Sequence, residues 1–408
     1  MTAISRGPTP TDHLSIKTSG LYATLYLHYG VLSFLPLWLA SRSVPATQIG
    51  ALLAIPLVLR LIAVGPVVAF AGRRGHLRDA LTLFAVIAAL LAGLTGLIHD
   101  HFALLVIFVF FSIAWDQLPV LADAYAVLTV RARGLDFGRL RVWGSLGVVG
   151  GALIGGAVFQ VGGIGLLPWL AGGLLLLLAL VSRITPPDRA LSPPDETRTP
   201  GDWKAVFKDR QMIRAMFATS LIAGSHGILL TFGSIQFSAQ GWSSTIIGLL
   251  ISMGVLSEVI VLWFAQKMLK DGDPRGLILI AGGFAIARWT VMAFTPALSI
   301  VFVAQMLNGV SAMGPVMGLM LIIARRTPAH LVGVAQGVGA VILGLGLALV
   351  TFGSGLLWEQ GPAVAYGAMA LMAALGLPLV LGRETALSPP ADSAGDPVVP
   401  SATGPEPS

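Results

Sequence analysis

The sequence predicts an all-α integral membrane protein with twelve transmembrane helices in two pseudo-symmetric six-helix bundles. Of its 408 residues, 55% are hydrophobic and only 11% are charged, and the mean hydropathy is +0.85. A water-soluble domain carries about 25% charged residues, because its surface must be solvated. Most of this surface must therefore face lipid. The recurrence of long apolar stretches and the placement of the basic residues support the same fold class.

Each apolar stretch is long enough to cross a hydrocarbon core of about 30 Å as a helix, which takes about 20 residues. The first six are residues 21–40, 49–71, 80–98, 102–127, 142–161 and 163–181. The second six are residues 216–237, 246–265, 277–294, 298–324, 332–357 and 364–381. The first stretch is too long for a signal-peptide core and lacks a cleavage signature, so we expect a retained helix.

Basic residues predict the orientation of the chain. All of the 25 lysines and arginines except Arg42, Arg60 and Arg288 lie in the terminal segments or in every second loop. Such asymmetry is the positive-inside pattern, and it places both termini in the cytoplasm. Because the charge is spread over many short loops, nucleic acid is not an expected partner. The expected surroundings are the lipid bilayer of a bacterial inner membrane.

The polar intervals divide the chain into five parts. We expect a cytoplasmic N-terminal segment (1–17), a six-helix bundle (18–182), a cytoplasmic linker with a short interfacial helix (183–209), a second bundle (210–382) and a disordered cytoplasmic tail (383–408). A shift of 198 residues superimposes the start of the second bundle on the first, matching His28 with His226. Parallel repeats of this kind can rock about a central site.

Several kinds of chemistry are not expected. The chain has no cysteine, which removes disulfides, thiolate metal sites and cysteine nucleophiles. Neither a nucleophile motif nor paired metal-ligand spacing occurs within the spans, and the glycine-rich stretches lack a phosphate-binding signature. We therefore expect no cofactor and no enzymatic activity, although a membrane-embedded enzyme or a transporter-like receptor is the alternative from another class.

Four segments resemble one group of transporters. These are residues 136–144 (DFGRLRVWG), 29–39 (YGVLSFLPLWL), 254–259 (GVLSEV) and 287–289 (ARW). They are similar to the bacterial phenylpropionate permease and lactose permease group of the major facilitator superfamily. The resemblance implies the major facilitator fold and proton symport of a small organic solute, with an aromatic carboxylate as the expected solute. We also expect a functional monomer. A sugar or nucleoside symporter and an efflux antiporter are the alternatives.

The chain departs from the group at two places. Residues 69–75 (AFAGRRG) keep the basic part of the usual loop motif but lack its acid. The resemblance also places Gln305, Asn308 and Ser311 where the lactose permease has the Lys, His and Glu of its proton relay. We therefore expect no lactose-type relay on the tenth helix.

Ionisable side chains inside a membrane span are costly and usually mark a solute or proton path. Glu258 is the leading candidate for proton coupling, both because burial and a nearby arginine act oppositely on a carboxyl and because the resemblance implies it. Arg288 either balances Glu258 or binds the solute. His28 and His226 are further coupling candidates, since histidine titrates near neutral pH, but either can be a structural residue.

The substrate-binding candidates lie mostly in the first bundle. The resemblance implies Arg141 and Asp123 as ligands, and the guanidinium of Arg141 suits a carboxylate, although Arg141 can equally be a topology charge and Asp123 lies near the cytoplasmic edge. Asp116 lines the cavity or satisfies a buried donor. The role of Arg60 stays open. Three aromatic residues are candidates for stacking on a ring, with membrane-belt packing as the alternative: Tyr29, Trp143 and Trp289.

Overall fold

The computed structural model describes residues 10–73, 75–133, 137–188, 203–268 and 273–381, and the regular structure in these ranges is helical. The predicted N-terminal segment and linker lie partly outside the described residues, and the predicted tail lies wholly outside them. The α-helices are α1 Pro10–Leu32, α2 Leu35–Ser41, α3 Ala46–Arg73, α4 Leu77–Leu97, α5 His101–Asp116, α6 Leu118–Arg133, α7 Phe137–Gly162, α8 Leu167–Ile184, α9 Trp203–Val206, α10 Arg210–Gly224, α11 Ser234–Ala239, α12 Ser244–Met268, α13 Pro274–Ala293, α14 Leu298–Met306, α15 Asn308–Arg326, α16 Val332–Trp358 and α17 Pro362–Val380.

These helices form twelve membrane crossings, which confirms the predicted number. Eleven are long and apolar enough to cross a bilayer, and the remaining one is α3, whose apolar part is Ala46–Leu61. Four crossings consist of two helices in line: α1 with α2, α5 with α6, α10 with α11, and α14 with α15. The short helix α9 lies within the predicted linker.

The interrupted crossings are the first, fourth, seventh and tenth, which divides the molecule into four units of three crossings. The seventh contains a π-helix, Leu229–Gly233. The fourth is interrupted at Gln117 and the tenth at Leu307. Broken helices are tolerated at membrane depth where the freed backbone is buried in protein or lines a cavity, and in transporters they form binding sites. The interruptions therefore direct attention to these four crossings.

The two bundles contact each other mainly through two helix pairs, α7 with α12 and α3 with α16, and also where α2 meets α11. Glycine makes these contacts close. A Cβ on Gly50 would lie 2.9 Å from the carbonyl oxygen of Thr351, and a Cβ on Gly156 would lie 2.6 Å from that of Ser244. Small residues let helix backbones approach in this way.

Of the hydrogen bonds between the bundles, one lies midway along α7 and α12, where Ser252 Oγ donates to the carbonyl oxygen of Val149 at 3.2 Å. Two others lie toward the end of the molecule opposite the first and last described residues. The Thr47 amide donates to Glu359 Oε1 at 3.4 Å, and the Ser244 amide donates to Gln160 Oε1 at 3.0 Å. We call this region the closed end. The close glycine contacts and the described hydrogen bonds between the bundles thus extend from the middle of the molecule to the closed end.

Candidate functional site

The second bundle contains a cavity of about 330 Å³. It lies among the seventh to eleventh crossings, and Ser33 is its lining residue from the first bundle. Most of the wall is apolar, and the polar groups include His226, Glu258, Arg288, Gln305 and Asn308. Its volume falls within the range of small-molecule sites, which are mostly apolar with a few placed polar groups.

Arg288 is the most deeply buried charged group of this cavity, with only 2% of its surface exposed. Its Nη1 donates to Asn308 Oδ1 at 2.6 Å, and its Nη2 donates to Gln305 Oε1 at 2.5 Å. The guanidinium also lies 4.8 Å from the ring centre of Trp289. Both acceptors are neutral amides, so the positive charge is hydrogen-bonded without being neutralised by them.

Glu258 is joined to Arg288 through Asn308. The Asn308 Nδ2 donates to Glu258 Oε1 at 2.7 Å, while its Oδ1 accepts from Arg288. Among the described residues no direct ion pair links Glu258 and Arg288, although the two charges interact electrostatically. The Asn308 amide therefore lies between the carboxylate of Glu258 and the guanidinium of Arg288 and bonds to both.

His226 completes the polar end of the cavity. Its Nε2 lies 3.0 Å from Ser311 Oγ and its Nδ1 lies 3.3 Å from the carbonyl oxygen of Ile222. A carbonyl can only accept, so this contact places the hydrogen on Nδ1 and leaves Nε2 to accept from Ser311. The Trp289 ring stands edge-on to His226 at 4.8 Å and donates from Nε1 to Ser225 Oγ at 2.8 Å. Both His226 nitrogens have partners in the neutral form.

The first bundle holds a second polar group, on α1, α6 and α7. The Tyr22 hydroxyl donates to Asp123 Oδ1 at 2.5 Å, and the rings of Tyr22 and Tyr26 stack at 5.9 Å. Arg141 is exposed and interacts electrostatically with both tyrosines. Trp143 is 49% exposed. These residues do not line the 330 Å³ cavity.

A third group lies where the fourth crossing is interrupted. The rings of Tyr29 and Trp115 are 5.0 Å apart, and His28 lies 6.4 Å from Trp115. Asp116, the last residue of α5, is 6% exposed and interacts electrostatically with Arg60 of α3. Arg60 itself is exposed.

The structure thus separates the predicted site residues into three places. It brings Glu258, Arg288 and His226 together at one cavity, with Trp289 packed against His226 and Arg288, while the candidates of the first bundle lie in the other two groups. The roles given to all of these residues stay predictions.

Sequence reasoning did not predict that Gln305, Asn308 and Ser311 would be hydrogen-bond partners of the candidate residues. It noted them only as replacements for an ionisable relay, yet each bonds to a candidate residue. Their spacing of three residues was the available signal, because residues three apart lie on the same side of a helix.

The chain has clear relatives among transporters. Residues 16–368 match the MFS_1 like family. The probable 3-phenylpropionic acid transporter of Escherichia coli (strain K12) is 28% identical over 366 residues, which cover 89% of this chain and 95% of that protein. The maltose permease of Geobacillus stearothermophilus is 26% identical over 277 residues, which cover 67% and 70% of the two chains.

Solved transporter structures share the fold. The nucleoside transporter NupG superimposes with a TM-score of 0.77 at 16% identity, over 90% of this chain and 97% of that one. A D-xylose-proton symporter superimposes with a TM-score of 0.64 at 16% identity, over 89% and 96% of the two chains. At such identities the likeness shows the fold alone.

The family match spans most of the chain, its relatives are transporters and not enzymes, and the described helices form twelve crossings, five of which enclose a cavity with a buried arginine. This chain belongs to the MFS_1 like family and is a multi-pass membrane transporter of the major facilitator type that moves a small solute across the membrane.

Proposed function

We propose that the protein is a proton symporter for an aromatic carboxylate resembling 3-phenylpropionate. The observation that carries this is the buried Arg288, whose guanidinium is held by two neutral amides at one end of an apolar cavity. A carboxylate on an apolar body fits such a cavity, because its charged end meets Arg288 and the ring meets the aliphatic wall. A sugar or nucleoside would need hydrogen-bonding groups on several sides. The name of the E. coli relative points to the same solute class.

The link between Glu258 and Arg288 gives a physical basis for coupling. When Glu258 is ionised, its charge offsets that of Arg288 and repels an incoming carboxylate. When Glu258 takes a proton, the positive charge of Arg288 is left to bind the solute. Proton and carboxylate therefore favour each other's binding, which is the reciprocal coupling that symport needs.

The remaining candidates take supporting roles in this proposal. His226 holds Trp289 and the tenth crossing in place, and Trp289 packs under the guanidinium of Arg288. Arg141, Trp143 two residues after it, and Asp123, which acts with Arg141 on Tyr22, flank the path by which the anion enters or leaves. The positive-inside pattern supports cytoplasmic termini in a bacterial inner membrane, and one chain contains the whole cavity, so a monomer suffices.

The test is solute-induced alkalinisation in proteoliposomes, with a panel of aromatic acids, sugars and nucleosides. Aromatic carboxylates should carry protons inward, and Glu258→Gln should abolish net uptake while sparing exchange of labelled for unlabelled solute. Glu359→Gln is the matched control, because Glu359 is exposed at the closed end and its loss should leave net uptake in place. Uptake of sugars or nucleosides alone, or unchanged net uptake in Glu258→Gln, would contradict the proposal.

A further inference from the structure

The interruption of the fourth crossing gathers buried polar atoms that have no hydrogen-bond partner among the described residues. They belong to Tyr29 on α1 and to three residues at the junction of α5 and α6: Tyr29 Oη, Trp115 Nε1, Asp116 Oδ2 and Gln117 Oε1. An unsatisfied buried polar group costs about 1–3 kcal/mol. Such a concentration in one place is unusual in native proteins and calls for an occupant.

This group is distinct from the solute cavity. Neither Asp116 nor its unpartnered neighbours line that cavity, which belongs almost entirely to the second bundle. Asp116 and Gln117 are 6% and 3% exposed. A carboxylate buried in this way within a membrane span is expensive, and by default it marks a proton or ion path.

The charged and titratable groups around Asp116 come from three helices. Arg60 of α3 acts on it electrostatically, as Asp116 does on Tyr29 of α1. Tyr26 of α1 and Asp123 of α6 also act on Tyr29, and so lie one residue further from Asp116. His28 of α1 lies 6.1 Å from Tyr29, ring to ring. The other helix packed on α5 is α4, whose charged residues, Arg78 and Asp79, are engaged with Thr185 and Arg183.

The mixture of donors and acceptors defines the occupant. A metal cation is bound by acceptors alone, whereas here the indole N–H of Trp115 is a pure donor and Arg60 repels cations. A proton on Asp116, relayed by water that bonds to Tyr29, Trp115 and Gln117, uses both kinds of group. Water typically satisfies otherwise unpaired buried polar atoms in this manner.

Arg60 offers a way to release that proton. Its neighbour Leu61 contacts α16 of the other bundle, where an added Cβ on Gly344 would lie 3.2 Å from Leu61 Cδ2. Rocking of the bundles therefore changes the packing of α16 on α3 beside Arg60, and we expect the exposed Arg60 side chain to change its distance from Asp116 as this packing changes. When Arg60 approaches Asp116 the ionised carboxyl is favoured, and when it withdraws the protonated form is favoured.

From this arrangement we infer that Asp116 is a second proton-binding site, separate from the solute cavity, whose proton crosses the membrane with the solute. The inference rests on the proposed symport for its transport consequence. With one proton on Glu258 and one on Asp116, a monovalent carboxylate crosses with one net positive charge. Without Asp116 the cycle is electrically neutral.

The experiment measures accumulation of labelled 3-phenylpropionate in proteoliposomes as the membrane potential is varied at fixed pH. One net charge should give about 50-fold extra accumulation for a potential of about 100 mV. Asp116→Asn should keep uptake driven by the pH gradient and lose this dependence on potential. Arg60→Gln should do the same, because Asp116 then keeps its proton. Glu359→Gln should retain the full dependence.

If accumulation by the unaltered protein does not change with the membrane potential, the inference is overturned while the proposed symport still stands.

A readout without solute separates failure of this inference from failure of the proposed function. Infrared difference spectra of the purified protein, taken between alkaline and acidic buffer, should show a carboxylic acid band that Asp116→Asn removes and Glu258→Gln does not. Tyr29→Phe, which keeps the ring and removes one unpartnered hydroxyl, should shift that band. Spectra identical in the unaltered protein and in Asp116→Asn, or proton uptake that requires sodium, would overturn the site.

Discussion

Asn308 is the residue on which the solute site depends most closely. Its amide accepts from Arg288 at 2.6 Å and donates to Glu258 at 2.7 Å. The two bonds fix the orientation of the amide, because only the oxygen can face a guanidinium and only the nitrogen can face a carboxylate. A neutral side chain thus holds two charges close enough to interact and far enough apart that a solute carboxylate can compete.

Replacing Asn308 by Leu tests this arrangement at the residue scale. The change leaves Arg288 Nη1 and Glu258 Oε1 each without that bond, and hydrogen bonds to charged groups contribute about 1.5–3 kcal/mol. We expect 3-phenylpropionate to bind about ten- to a hundredfold more weakly, measured by equilibrium binding to the purified protein. Ser311→Ala, which removes a bond between neutral groups one turn along the same helix, should have a smaller effect. Equal binding by Asn308→Leu and the unaltered protein would exclude the bridging role.

At the scale of single elements, the position of α15 against α12 determines the site geometry. The two helices meet at Gly309, where a Cβ would lie 2.8 Å from the backbone nitrogen of Glu258 and closer still to the backbone of Ser257. The Gly309 amide also donates to Ser257 Oγ at 2.8 Å. Because Asn308 precedes Gly309, the close approach of these helices brings its amide within reach of Glu258.

A single methyl group at this contact should separate the helices. Overpacking typically costs about 1–3 kcal/mol, so Gly309→Ala should lower the thermal unfolding temperature in detergent and reduce uptake by drawing Asn308 away from Glu258. The matched control is Gly337→Ala on α16, where the added Cβ meets nothing within 4 Å. If the Gly309 variant unfolds and transports like the control, the close contact is not needed.

For the whole molecule, the closed end is held by close glycine contacts and few hydrogen bonds. Those between Thr47 and Glu359 and between Ser244 and Gln160 are single bonds, and a typical bond contributes only about 0.5–1.5 kcal/mol net. Breaking these hydrogen bonds to open the closed end therefore costs little free energy, which new contacts at the other end can offset. Two conformations of similar free energy are what a carrier needs, because a solute or proton can then shift their populations.

The chain contains no cysteine, which makes cross-linking a direct test of this view. The pair Gln160→Cys with Ser244→Cys should form a disulfide or react with a short bifunctional thiol reagent, and uptake should fall and return on reduction. The pair Trp143→Cys with Phe264→Cys, on the same two helices away from the closed end, should remain unlinked. Cross-linking of the second pair alone would show that the bundles meet at the other end.

Hydrophobicity and charge placement determined the membrane class and the twelve crossings, and the polar intervals with the 198-residue repeat determined the division into two bundles. Crossing lipid requires long apolar helices with satisfied backbone groups, and that requirement is local to each segment. The buried charges could be recognised in the same way, since an ionisable residue in an apolar span is visible in the sequence. Glu258, Arg288 and Asp116 were identified on this basis.

Only the tertiary structure decided which of those residues meet. In helices that are apolar on most sides the hydrophobic pattern does not reveal which face turns inward, and a broken crossing changes that face partway along. The bond from Asn308 to both Glu258 and Arg288, and the unpartnered atoms around Asp116, depend on how helices distant in sequence are rotated and how closely glycine lets them approach. Those quantities follow from packing between segments, which no single segment encodes.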